Sequence, residues 1–478
     1  MNWRAWLAAP IAFALGGCDF APRYAPPSVA TPSKFKDEVA AGTLPASGDW
    51  WLAFHDRTLN ELQGQVDAAN PDLAAAVAAN DVAVARANAA LSAAYPQVDA
   101  VPHFLANKQS ANRPLRSANQ PTYYGDNVIG AQTAYEVDIW GRVRDLVASA
   151  NANAEASADA LADARLELHA ELARDYVNLR GFDDQAKLLS DTIAIYRSAL
   201  KLTEDRLAAN IVSPVDVDRA QAQLSSAEAQ LSDLLLNRAT LENSIAALIG
   251  KSAASFSVAR SSSRLPLPKP PGAAPADVLR RRPDVAQAER LTAGASQQIG
   301  AARANFFPKF TFIALGGTQD TNFRLFNPHN LFGSIGPSID IPLFDAGLRQ
   351  AELAIAKAQF TEAAENYRST VLRAMKEVQD ELSSLRWLAE EYNQTTTAAI
   401  AARKAADLSL TLYRDGASSY LDVVTAQSAA LEAERLAIVL HTRQMVADIG
   451  LMLALGGGWV VPPEPRAKPP GFAPYLAE

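Results

Sequence analysis

Two hydrophobic periods alternate along the chain, and each occurs twice. Ile129, Ala131, Thr133, Tyr135, Val137 and Ile139 alternate with Gly130, Gln132, Ala134, Glu136 and Asp138. That period of two predicts a strand with one apolar and one polar face. It fits a strand between lipid and a water-filled lumen, and equally a half-buried soluble sheet. Beyond Gly141 the period changes. Val143, Val147, Ala150, Ala154, Ser157, Leu161, Ala164 and Leu168 recur at spacings of four and three, a seven-residue helical repeat with small residues in many seam positions. Such a seam fits a two-helix coiled coil, or a helix sandwiched between neighbours in a larger tube. Downstream the succession returns: Ile335, Pro337, Ile339 and Ile341 alternate with Ser334, Gly336, Ser338 and Asp340, and a second long helical stretch opens at Gly347.

The return is a duplication. A shift of 206 positions places Gly141 on Gly347, Ser213 on Ser419, Asp216-Val217 on Asp422-Val423, Glu228 on Glu434 and Gly250 on Gly456. Phe307-Pro308 stands in the second copy where Tyr95-Pro96 stands in the first. No proline falls between Pro121 and Pro214 or between Pro342 and Pro462, in a chain with 28 prolines. Proline costs about 3 kcal/mol inside a helix, so these windows read as helix. A helix from Gly141 to Asn210 would be about 105 Å long, a length that suits bridging a gap. Ser213-Pro214 supplies a cap and a first-turn proline for a helix running back. The expected map is a signal peptide at 1–17, a Pro-rich tether at 18–48 and a first repeat at 49–251. That repeat has strands at 96–108 and 127–139 and a helical hairpin at 141–250. A linker follows at 252–275. The second repeat, 276–457, has strands at 308–319 and 331–343 and a hairpin at 347–456, before a Pro-rich tail at 458–478.

Charge and composition narrow the function. A net charge of -8 argues against a nucleic-acid partner. The single cysteine excludes an internal disulfide and a Cys-rich metal site. His55, His103, His169, His329 and His441 show no metal-ligand spacing. No catalytic cluster, cofactor motif or metal site stands out, so an enzyme is not expected. Gly250-Lys251-Ser252 resembles the end of a phosphate loop, but Ile245 holds the place of the upstream glycine and a helix precedes it. Arg281, Arg282 and Asp284 around Pro283 read as a helix start, with the acid near the positive helix end.

At the N-terminus, Arg4 and the apolar stretch Ala5 to Leu15 have the form of an export signal. It ends in Leu15-Gly16-Gly17-Cys18, a lipoprotein-type cleavage box that makes Cys18 the expected lipidation site. Asp19 follows, a residue that in enteric bacteria often marks retention in the inner membrane.

Several words in order carry a resemblance: APRYAPP, DWWLAFHD, AANPDLAAA, then RRPDV with AE and IGAARANFFP, IPLFDAGLRQAEL, and YRDGASSYLDVVTAQ. Together they resemble the outer membrane factor family, the TolC-like efflux channels, in its lipoprotein branch. The resemblance implies a mainly helical chain with four membrane strands, three protomers sharing a twelve-stranded β-barrel, and a periplasmic α-barrel of long hairpins. It implies passive conduction of small toxic compounds or drugs. The partners would be a periplasmic adaptor protein, an inner-membrane pump of the resistance-nodulation-division type and outer membrane lipid. A type I secretion channel and a non-pore coiled-coil adaptor lipoprotein are the alternative readings. Four strands cannot close a barrel alone, and an open sheet edge cannot face lipid, so strands in a membrane demand an oligomer. Ile129, Tyr135, Val137, Ile335, Ile339 and Ile341 would then face lipid, and Gln132, Glu136 and Asp340 water.

A duct must narrow at its far tip when at rest, and the tips are the turns near Asn210 to Asp218 and Tyr413 to Gln427. Tyr413, Gly416, Tyr420 and Leu421 match the family's pattern at the constriction. The resemblance implies an apolar ring from Leu421 and an acidic ring from Asp422 where three chains meet. Thr425 stands where some relatives carry another Asp, and Asp216 and Asp218 on the first turn could supply charge instead. The plainer alternative has Leu421 packing between helices and Asp422 serving only as a helix cap.

Overall fold

The computed structural model describes residues 20–37, 48–114, 117, 119–261, 264–269 and 281–459. The signal segment, Cys18, Asp19, the middle of the tether, part of the linker and the tail from residue 460 lie outside the described residues. Helix α1 (Arg57–Ala69) starts where the Asp56 carboxylate accepts from the Leu59 amide at 2.8 Å. Helix α2 (Pro71–Ser92) is capped in the same way by Asn70, with proline in its first turn. The Asn70 side-chain amide also donates to the Leu248 carbonyl at 2.7 Å, which fixes this helix start to the end of a distant helix.

The sheet follows. Strands β1 (Gln97–Ala100) and β2 (His103–Lys108) both pair antiparallel with β3 (Tyr123–Glu136). Strand β4 (Lys309–Asp320) pairs with β3 on one side and β5 (Leu331–Asp340) on the other. The single strand expected over 96–108 is therefore split at Val101-Pro102, where proline has no N–H to donate. Strand β3 begins at Tyr123 instead of 127, and its pairing with β4 ends at Glu136. Past it, Val137 keeps one bond to the Phe310 carbonyl, and Ile139 turns back to Val137. Strand β5 stops at Asp340, two residues before Pro342, so Val137, Ile139 and Ile341 lie beyond the regular ladder.

Register sorts the faces. Residues directly opposite one another share a face. The pairs Ile129↔Thr318, Thr133↔Ala314, Tyr135↔Phe312, Ala314↔Ile335 and Phe310↔Ile339 put Ile129, Tyr135, Phe310, Phe312, Ile335 and Ile339 on one side. Gln132, Glu136, Lys309, Gln319 and Asp340 occupy the other, interspersed with Ile313 and Leu315. Within the described chain the outer edges of β1/β2 and of β5 have no partner strand.

Two helical hairpins extend from the sheet. Helices α3 (Arg142–Ala208) and α4 (Pro214–Leu248) form the first, and α6 (Leu348–Arg414) and α7 (Tyr420–Ala454) the second, with α5 (Pro283–Ala304) preceding β4. The long helices have 67 residues each, about 100 Å at 1.5 Å per residue. Gly141 and Gly347 precede them at φ 83° and 92°, a left-handed backbone that glycine adopts without a Cβ clash. Helix α7 is apolar and long enough to cross a membrane by length and composition, but most of its apolar stretch is buried in the protein. Its side chains join two cores: Met445, Ile449 and Met452 meet Trp50, Phe54 and Tyr176, while Leu440, Ala447 and Leu451 meet Val371 and Val378 of α6.

A buried charge cluster holds the first hairpin to the linker. Asp183 on α3 accepts from Arg238 Nε of α4 at 2.7 Å and from Arg180 Nη1 at 3.1 Å. Arg238 also donates to the Val258 carbonyl and Arg180 to the Ala259 carbonyl. The Tyr176 hydroxyl accepts from Arg180 and donates to Asp56. Both guanidinium groups thus meet oxygens on several separate segments.

The Pro-rich segment after Phe20 is extended, as its composition predicts, but it is not a free tether. Phe20 stacks on Phe307 with ring centroids 4.6 Å apart, and Phe307 stacks on Trp140 at the junction of sheet and helices. Tyr24 donates to the Glu289 carbonyl of α5, Phe35 is buried beside α6, and Asp37 meets Arg386 and Ser383. Residues 20–37 therefore run along the body from the sheet end towards the middle of the helices.

Candidate functional site

The ends of the hairpins farthest from the sheet bring the two expected turns together. Ser213 and Ser419 cap α4 and α7, so each return helix starts from a fixed point. Tyr413 and Tyr420 are both buried, with rings 5.3 Å apart in an edge-on arrangement, beside Val423, Ala220 and Leu224. Burial pushes the Tyr420 hydroxyl up to about 12, with Tyr413 and Tyr196 adding to it. The Tyr413 hydroxyl itself is buried without a hydrogen-bond partner. Arg206, in the last turn of α3, stacks over the Tyr413 ring at 4.6 Å. Its two terminal nitrogens donate to the Tyr413 and Arg414 carbonyls at 2.8 and 2.9 Å. A cation on carbonyls at a helix C-terminus complements the helix dipole, and here it also ties one hairpin tip to the other.

The other expected residues point elsewhere. Leu421 is 48 % exposed, so within one chain it does not pack between helices. Asp422 forms a capping box with Ser419: its Oδ2 accepts from the Ser419 amide at 3.1 Å, and the Ser419 hydroxyl accepts from the Asp422 amide. The carboxylate remains exposed while it caps. The Thr425 hydroxyl donates to the Leu421 carbonyl at 2.9 Å. Asp216 lies 3.5 Å from Arg219 in the first turn of α4, and Asp218 is exposed. The sequence does not single out Arg206; its only signal there is a basic residue in the last turn of a helix.

A second polar site lies in the helical wall. A cavity of about 480 Å³ opens between α3, α5, α6 and α7. Arg282 spans it, bonded to both Asp284 oxygens, to Glu377 at 2.8 Å and to the Ala454 carbonyl at 3.1 Å. Those contacts give Arg282 and Asp284 a structural role at the start of α5. Asp163 of α3 faces the same cavity, and burial, followed by the charges of Asp284 and Glu167, raises its carboxyl to about 7. A carboxyl raised in the folded state favours folding when protonated. Its contribution is greatest at acidic pH and is lost as pH rises from 3.8 to about 7. The Asp163→Asn protein should therefore show a smaller fall in unfolding temperature across that range than the unmodified protein. Parallel pH profiles would exclude Asp163 as a source of the slope. His169, also buried, contacts Gln63 and Asp67 and stacks on Trp51, a packed histidine away from both sites. Among the described residues no group of His, Cys, Asp and Glu is arranged to hold a metal.

Comparison with known proteins agrees with this architecture. The model of the outer membrane efflux protein family matches residues 62–251 and 274–457. The pyoverdine export outer membrane protein OpmQ of Pseudomonas aeruginosa is 30 % identical over 453 residues, covering 93 % of this chain and 95 % of that protein. The probable efflux pump outer membrane protein TtgC of Pseudomonas putida is 28 % identical over 459 residues, covering 94 % and 95 %. The outer-membrane channel OprN superposes with a TM-score of 0.87 at 27 % identity, over 92 % of this chain and all of that one (100 %). VceC of Vibrio cholerae superposes with a TM-score of 0.81 at 28 % identity, over 86 % and 99 %. With two long helical hairpins, a sheet at one end and a family match over most of its length, this chain belongs to the outer membrane efflux protein family and is an outer membrane efflux channel with a periplasmic helical part.

Proposed function

We propose that three copies of this chain form one passive duct, with a twelve-stranded barrel in the outer membrane and a helical tube in the periplasm. The observation that carries this reading is the sheet. It is four strands across, counting β1 and β2 end to end, with a mainly apolar face, a face carrying most of the charged side chains, and, among the described residues, no partner strand at either edge. Open edges cannot remain in hydrocarbon, and pairing β5 of one copy with β1/β2 of the next removes them all. The duct would carry small toxic compounds or drugs delivered by an inner-membrane pump, of the resistance-nodulation-division type, through a periplasmic adaptor. Conduction needs no catalytic group or cofactor. Cys18 would carry the lipid anchor. Export of a panel of toxic compounds from a strain lacking the gene, with and without its restoration, tests the reading. Equal sensitivity of the two strains to every compound would overturn small-molecule efflux.

Closure would lie at the tips. Leu421 is exposed in the first turn of α7, where three copies would bring three such side chains together, and Asp422 lies beside it. Asp216 and Asp218 add charge from the first hairpin, Thr425 adds none, and Tyr413 with Arg206 holds the two tips of each chain. Leu421→Ala should raise resting conductance in planar bilayers while leaving trimer stability little changed. Unchanged conductance, with Asp422→Ala also silent, would place closure elsewhere.

A further inference from the structure

A larger cavity lies where the start of the first repeat meets the end of the second. It measures about 980 Å³ and is bounded by Gly48 to Trp51, the α1–α2 junction, α3 between Ala158 and His169, and the residues that follow α7. That volume is at the upper end of the roughly 300–1,000 Å³ typical of small-molecule sites. The remainder of α3, from His169 to Ala208, rises 1.5 Å per residue, which puts the cavity about 60 Å from the tips. Its lining is mostly apolar: aliphatic side chains of α2 and α3, such as Leu73 and Leu161, and the indoles of Trp50, Trp51 and Trp459.

Two polar groups of this lining are unmatched. Trp50 is fully buried, and its indole N–H has no hydrogen-bond partner. The nitrogen borders Gly457 on the cavity wall, where a Cβ would lie 3.3 Å from it. A buried donor left unpaired is destabilising, so it favours a ligand that brings an acceptor. Asp49 holds the N-cap position of the short 3-10 helix Trp50–Phe54, but its carboxylate makes no capping bond, and no cation pairs with it among the described residues. The other charges cancel. Asp67 accepts from Arg165 Nε and Nη2 at 2.7 and 2.9 Å. Burial lowers the pKa of His169, so the ring adds no positive charge at neutral pH. One uncompensated negative charge therefore remains at the cavity, beside aromatic rings whose faces attract cations.

We propose that this cavity binds a lipophilic organic cation that carries a hydrogen-bond acceptor. The cationic group faces Asp49, the apolar body lies among the indoles and the aliphatic side chains of α2 and α3, and a carbonyl oxygen accepts from Trp50 Nε1. An anion of the same shape is repelled by Asp49. A ligand held there touches the Trp50 segment, α3 and the chain after α7 together, so binding stabilises the junction of the two repeats and raises the unfolding temperature. The site is built from one chain, which makes it independent of the trimeric duct and of closure at the tips.

Rhodamine 6G, a cationic xanthene with an ester carbonyl, is the probe, and fluorescein ethyl ester is its anionic counterpart. Fluorescence polarisation with the purified full-length protein in detergent should show saturable binding of the cation, one per chain, and none of the anion. Asp49→Asn keeps the shape and removes the charge, and should weaken binding about tenfold. Trp50→Phe keeps a ring and removes the N–H, and should weaken binding to a smaller extent. Thermal unfolding of each variant without dye checks the fold. The dye should raise the unfolding temperature of the unmodified protein, and raise it less in Asp49→Asn. Absence of saturable binding, equal binding of the two dyes, or full affinity in a folded Asp49→Asn or Trp50→Phe protein would overturn the proposal and leave the efflux duct standing.

Discussion

Asp183→Ala should be the most destabilising single substitution in the helical body, by about 3 to 5 kcal/mol. The carboxylate is buried and lies between two buried guanidinium groups, Arg180 and Arg238. Its removal leaves both cations in a low-dielectric interior with fewer oxygens to meet them. Glu242, 3.2 Å from Arg238, still compensates one of them, and Arg180 keeps the Tyr176 hydroxyl and a carbonyl. The loss should therefore be greater than for Glu242→Ala, which leaves the Asp183 pair intact. Thermal unfolding of the two variants in detergent measures the order. An Asp183→Ala protein as stable as the unmodified one would mean that water reaches the cluster and solvates the arginines.

Ile335→Arg should cost about 2 to 4 kcal/mol if its side chain meets the middle of the bilayer. Ile335 is 75 % exposed and lies midway along β5, opposite Ala314 and on the face of Ile129, Phe310 and Phe312. A guanidinium placed there enters hydrocarbon, where its immediate neighbours offer no carboxylate to pair with it. Gln132→Arg on the opposite face would point into water on the side of Gln319 and Glu136, so little change is expected. Folding into lipid vesicles under urea compares the two. Equal costs on both faces would argue that the sheet does not divide lipid from water.

Much of this arrangement is legible without any knowledge of contacts. Helix length follows from proline exclusion, because one proline interrupts a helix wherever it falls. The caps Ser213 and Ser419 and the turns they follow are legible for a similar reason, since capping involves neighbours two or three residues apart. The apolar and polar sets of β3 are visible as a local period. The ends of the strands are not. Val137, Ile139 and Ile341 continue the alternation but lose the partners that make a ladder, and Pro102 interrupts a strand whose composition gives little sign either way.

At the tip, position in the sequence points to Tyr413, Leu421 and Asp422, but their roles separate only in three dimensions. Tyr413 turns inward under Arg206, Leu421 outward, and the Asp422 carboxylate back onto its own cap. Arg206 and Tyr413 stand 207 positions apart, and no local period links them.

Helices and their lengths, caps and alternating faces are legible in the chain because each depends on near neighbours, and the family is legible in its ordered motifs. Tertiary structure alone decided the strand register that gathers one apolar face, the Asp183 cluster that closes the linker onto the hairpin, and the path of residues 20–37 along the body. Each of these joins residues far apart in the chain, and their pairing is fixed by which surfaces remain to be buried once the helices and strands have formed.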